Sequence, residues 1–189
     1  MDGATESVIR GTLEMIDTWS ESLGFKTSLH NGDVAGHPDA DATFDIYVYD
    51  KSSNELMSVI SAVIYQFFPT KVTPMRIGIV DIKIPKKYTG HGVSWEMRIF
   101  AYKLLTDRLR CGYLAAKASS GKLDHILRRD FHWKYCGPEL SPYDPAYAAI
   151  NEAYPTLDIN YIGNYTKMTP AVKALNDLYL DEVKYLNAF

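Results

Sequence analysis

The chain has 189 residues, 47% of them hydrophobic and 23% charged, with 20 Lys plus Arg against 23 Asp plus Glu. This excludes a collagen-like, low-complexity or wholly disordered polymer, and the length suits one ordinary domain with a sizeable core. The net charge of -3 hides a division, because Lys83–Lys134 carries twelve Lys/Arg and four Asp/Glu, a balance of +8, leaving -11 elsewhere.

A basic centre attracts anions, while the acidic remainder and a pI near 5.9 argue against nucleic acid as a partner. A compact phosphorylated ligand suits that centre better. No apolar run reaches the roughly 20 residues of a membrane-spanning helix, and the opening MDGATES lacks a basic start and an apolar stretch. Cys111 and Cys136 are too few for a disulfide framework and fit a reducing compartment. A soluble, unexported, cytoplasmic protein without a membrane segment is therefore expected.

In chain order, Ile9, Leu13, Ile16 and Leu23 recur at helical spacing over Thr5–Phe25, with Gly24 placed to end the helix. Lys26–Ala42 is rich in Gly, Asp, Asn and Pro and reads as a long surface loop. Thr43–Asp50 alternates apolar and polar residues as a half-buried strand does. Leu56–Phe67 fits either a helix, by its spacing, or a strand, by its β-branched content.

Met75–Pro85 (MRIGIVDIKIP) is apolar on both faces, as a central strand should be. Gly92–Leu109 places Met97, Phe100, Ala101, Leu104 and Leu105 on one helical stripe. Cys111–Ser119 reads as a strand, Gly121–Phe131 as a short helix and Trp133–Cys136 as a further strand. Gly137–Lys167 is dense in Tyr and Pro and reads as a packed appendage. After Thr169 as N-cap and Pro170, the stripe Val172, Leu175, Leu178, Val183 and Leu186 predicts a terminal helix.

The sharpest local signal is strand, then IPKKYTGHG, then helix. Gly90 and Gly92 let the backbone approach an anion without a Cβ in the way, and free N–H groups at a helix start favour pyrophosphate. A dinucleotide fingerprint fails for want of a third glycine, since position 95 is Trp, and a Walker loop fails for want of G-K-[ST]. Five histidines without HExxH or Cys/His spacing give no metal site.

With Lys87 in place of Gln or Arg, Lys87-Tyr88-Thr89-Gly90-His91-Gly92 resembles motif A of the GNAT acyltransferase superfamily, [Q/R]-x-x-G-x-[G/A] between a central strand and a helix. The resemblance runs from about Phe44 to Gly137, through hairpin, central strand, motif, helix, strand, short helix and final strand, and it makes Leu56–Phe67 a strand. SSGKLDHILRRDF followed by HWKYCGPE resembles the family's later N-x-x-A-x-x-x-Y-x-x-x-G-F stretch, retaining Phe131. Ser119, Lys122, Ile126 and Asp130 depart from it.

The resemblance implies a GNAT-like α/β fold: a mixed, largely antiparallel sheet flanked by helices, with residues 1–137 as the domain and 138–189 as a Tyr-rich helical extension packed on it. It further implies acetyl-CoA, or another acyl-CoA, as cofactor. Backbone groups of Ile82 and Ile84 would align with the pantetheine arm. Amides of Tyr88, Thr89, Gly90, His91, Gly92 and Val93 would cradle the pyrophosphate, with Lys87 adding charge.

The activity implied is transfer of an acyl group to an amine on a small molecule or a protein, and a homodimer is compatible with it. Asp81 is the candidate base if partly desolvated. His125 is the neighbour of the position, Ile126, where the family commonly has an acid Tyr. Plainer readings stand beside these: Asp81 as a hydrogen-bonded structural carboxylate, His125 and His132 as helix-end or surface residues, and Cys111 as a small buried one. The losses at Ser119 and Ile126 also suit a catalytically silent member of the fold that serves as a structural or partner-binding module. The acceptor pocket would lie among the Lys26–Ala42 loop, the turn before Met75 and the appendage after Gly137. Asp33, Asp39 and Asp41 there would suit a cationic amine.

Overall fold

Alternation of apolar and polar side chains between residues 42 and 83 sets the architecture, because in a strand it sorts side chains onto two faces. A computed structural model describes residues 2–19, 25–68, 74–88, 93–118, 121, 123, 126–131, 133–136 and 145–163. Helix α1 (Gly3–Trp19) precedes four strands, β1 (Phe25–Asn31), β2 (Ala42–Asp50), β3 (Leu56–Phe67) and β4 (Met75–Lys83). A 3-10 turn (Lys86–Tyr88) leads to α2 (Val93–Lys103), which widens into a π-helical turn (Leu104–Arg108). Then come β5 (Tyr113–Ala116), a second π-helical turn (Ile126–Asp130), β6 (Lys134–Tyr135), α3 (Pro145–Ala153) and β7 (Tyr161–Gly163).

The seven strands form one sheet in the order β1-β2-β3-β4-β5-β7-β6, with β4 and β5 parallel and every other neighbour antiparallel. Leu56–Phe67 is thus a strand, hairpinned to β2. Asp50 shapes the turn by accepting the Ser52 N–H (2.8 Å), the Ser52 hydroxyl (2.7 Å) and the Ser53 N–H (3.2 Å). Those bonds hold its carboxyl below the usual carboxylate range.

Three expectations are corrected. The stretch expected to be loop from Lys26 begins with β1, which the sequence hides because Phe25 and Leu29 do not alternate, and which exists through seven register pairs with β2. The first helix, expected to reach Phe25, has Trp19 as its last described residue, and Phe25 opens β1. The Tyr-rich stretch after Gly137, expected to be a helical appendage, supplies β7, a strand lying inside the sheet between β5 and β6. The terminal helix expected after Thr169 lies outside the described residues.

One face of the sheet packs under α1 and α2, burying Ile9, Leu13, Phe44, Ile46, Ile60, Val80, Met97 and Phe100. The opposite face carries a smaller core in which Ile150 of α3 meets Tyr65, Phe67, Ile77, Ala115 and Ile162. Each fully buried side chain of this size contributes about 1.5–3 kcal/mol by leaving water. No helix among the described residues is long and apolar enough to cross a membrane.

Candidate functional site

Strands β4 and β5 pair at only three positions, Ile77 with Tyr113, Gly78 with Leu114 and Ile79 with Ala115. Beyond them β4 runs on through Val80–Lys83, held by β3 on its other edge, where Asp81 lies opposite Ser61 and Lys83 opposite Val59. The chain leaving β5 is drawn the other way. Ala116 pairs with Tyr161, and the Asn160 side chain brackets Ala118, accepting its N–H at 2.8 Å and donating to its carbonyl at 3.2 Å. Two parallel strands that start together therefore part, and among the described residues the stretch of β4 from Val80 to Lys83 has no strand partner on its β5 side.

Ile82 lies on that stretch and Ile84 just beyond it, both half-buried against the α1/α2 core. Asp81 is on the face that carries α3, where it is exposed rather than desolvated. The Tyr88 N–H donates to the Pro85 carbonyl at 2.9 Å, so the first of the amides expected to face a ligand is engaged within its own turn. Val93 is the first residue of α2. Thr89, Gly90, His91, Gly92, His125 and His132 lie outside the described residues.

Sequence reasoning missed Glu55. Placed directly after the β2–β3 turn, its carboxylate accepts both the Lys87 ammonium and the Tyr88 hydroxyl, the latter at 3.1 Å. These hydrogen bonds hold Glu55 below its usual range, and the Glu55 contact raises Lys87. The cation expected to face a diphosphate is thereby tied to the neighbouring hairpin. No pattern in one sequence announces a pair 32 residues apart.

Ile126, where an acid would be wanted, is buried in the main core. Cys111 is also buried, and desolvation pushes its thiol up to about 12, which leaves it inert as a nucleophile.

Two of the three segments expected around an acceptor meet on the α3 face. A cavity of about 310 Å3 opens between His37 and Asp39 of the first loop and Tyr154, Leu157 and Asp158 after α3, with Tyr65 at its wall. His37 Nδ1 lies 2.7 Å from the Tyr65 hydroxyl, and the Tyr154 hydroxyl donates to the Gln66 carbonyl. Burial first, and then the negative field of Asp39, raises the Tyr65 hydroxyl. Burial with Asp41 and Asp39 does the same to Tyr154.

The cavity is thus aromatic and electronegative. Asp33 is not among its lining residues and instead accepts the Gly36 N–H at 2.9 Å. Pro74 and Met75, at the turn expected to be the third segment, line a different cavity. Tyr65 stands opposite Ile77. Asp81 lies four residues further along β4, about 13 Å at strand rise.

No family model matches the chain, and no curated protein does. Solved structures do match. A ribosomal-protein-S5-alanine acetyltransferase from Vibrio fischeri is 15% identical over 56% of this chain and 54% of its own, with a TM-score of 0.39. A spermidine N-acetyltransferase from Vibrio cholerae is 12% identical over 67% of this chain and 78% of its own, with a TM-score of 0.38. An uncharacterised protein from Bacillus halodurans is 9% identical over 77% of this chain and 71% of its own, with a TM-score of 0.47. The chain spans about half the length of the first of these. The architecture itself is a mixed and largely antiparallel sheet with helices on both faces, as the sequence resemblance implied.

Proposed function

We propose that this protein is a divergent GNAT acyltransferase that moves an acetyl or similar group from an acyl-CoA to an amine. The parting of β4 from β5 carries this reading. It leaves one edge of Val80–Lys83 open, as an amide-bearing pantetheine arm requires, and Lys83, Lys86 and Lys87 at the end of β4 supply charge that favours a polyphosphate. When bound, coenzyme A supplies the acyl group as an activated thioester. Backbone groups at Ile82 and Ile84 orient it, and the Gly90 and Gly92 segment receives its diphosphate.

Asp81, exposed in the free protein beside the gap, takes the proton that the attacking amine must lose once bound substrate shields it from water. His125 is the group proposed to return a proton to the departing sulfur, since Ile126 has none to give. The amine enters from the α3 face, where the carboxylate of Asp39 and the rings of Tyr65 and Tyr154 suit a cation. Such chemistry is expected in the cytoplasm.

A second reading, a catalytically silent module, is favoured by Ile126 in the core and by Lys87 committed to Glu55. Calorimetric titration with acetyl-CoA separates the two. Micromolar binding that weakens at least about tenfold in Gly90→Glu supports the cofactor site, and absence of binding to the unaltered protein sinks it. If binding is found, turnover with a panel of amines that falls in Asp81→Asn distinguishes an enzyme from a module.

A further inference from the structure

A second cavity, of about 330 Å3, lies at the other end of β4, lined by Gln66, Pro74, Met75, Arg76, Arg110 and Gly112. That volume accommodates a small ligand. Gln66 and Arg76 are register partners on the face that carries α1 and α2. Arg76 Nη1 donates to the Leu109 carbonyl at 3.1 Å, which braces the guanidinium against the end of α2, and among the described residues its other donors have no partner.

Arg110 adopts φ 59, a left-handed conformation that lets the helix end close through Leu109 N–H to Leu104 carbonyl (3.0 Å) and Cys111 N–H to Leu105 carbonyl (2.9 Å). Glycine or asparagine holds such a position without strain, and arginine does not.

Among the described residues neither guanidinium forms an ion pair. The carboxylate of Asp2 feels the charge of Arg76 but is occupied in capping α1, where it accepts the Thr5 N–H at 2.6 Å. Two unpaired guanidinium groups at one cavity match the charge of a dianion, and their forked donors match its oxygens.

We propose that this cavity binds the phosphate group of a small phosphorylated ligand, at a site distinct from the acyl-transfer gap. Arg76 and Lys83 are seven residues apart on one strand, about 23 Å at strand rise, so one small molecule does not occupy both ends. The proposal does not depend on acyl transfer.

Titration of the whole protein with inorganic phosphate, followed calorimetrically, tests it. Arg110→Asn keeps the left-handed turn and removes the cation, and should weaken phosphate binding at least about tenfold without lowering the thermal midpoint. Arg110→Gly should do the same and raise that midpoint. Lys51→Ala, an exposed cation in the β2–β3 turn away from both proposed sites, should leave the affinity within about twofold. The proposal is overturned if the unaltered protein takes up no phosphate at millimolar concentration, or if both Arg110 variants bind it as well as the parent. Loss in Lys51→Ala would also overturn it, by making the binding a general response to charge.

Discussion

The two halves of the sheet are built on different principles. Strands β1 to β4 have 7, 9, 12 and 9 residues, follow one another in sequence and are zipped by long registers. Strands β5, β7 and β6 have 4, 3 and 2 residues, and their order in the sheet departs from their order in the chain. Ladders that short hold little by themselves, so side chains do the holding. Asn160 brackets Ala118, Arg128 Nε donates to the Tyr161 hydroxyl at 3.0 Å, and Tyr102, Phe131 and Trp133 pack ring against ring. The candidate gap is opened by the second half, which draws the chain leaving β5 away, while the first half holds β4 along its whole length against β3.

That contrast can be broken most strongly in the first half. Phe44 of β2 is 1% exposed in the main core, so Phe44→Ala should cost about 3–5 kcal/mol in chemical denaturation, with both halves lost in one transition. Separate transitions would show that the halves are independent.

A smaller and more local effect is expected of Asn160→Ala. The variant leaves the Ala118 N–H and carbonyl without their partner, costing about 1–3 kcal/mol. Hydrogen exchange should speed up across β5 and β7 while β2 and β3 stay protected. Equal acceleration in all strands would contradict the division.

The mildest test concerns the titratable groups buried in each part. Burial raises Cys111 from 9.0 to about 12, and it raises the hydroxyls of Tyr65, Tyr147 and Tyr154. A thiol whose folded value is raised contributes its full stability below its unfolded value. Above pH 9.0 the unfolded chain loses protons that the folded chain retains, so stability should fall from there towards about pH 12. In the folded protein at neutral pH, a thiol reagent should label half-buried Cys136 well before Cys111.

The amino-acid order alone specifies the local part of the fold. Apolar alternation in TFDIYVYD and in MRIGIVDIKIP, and the helical stripe from Met97 to Leu105, place β2, β4 and α2, because strand and helix sort side chains with periods of about 2 and 3.6 residues. The strand and the helix that flank the Gly90–Gly92 segment are legible for the same reason.

The remaining elements form only through contacts between distant segments. FKTSLHN is a strand because β2 offers it an edge, and YIG is one because β5 and β6 flank it. Neither carries a period of its own. Glu55 on Lys87, Tyr65 beside Tyr154, and Arg76 beside Arg110 are likewise pairs assembled by chain reversals. Proximity across the sheet depends on register and on which side chains fill the space between segments, and those are settled only when the whole core packs at once.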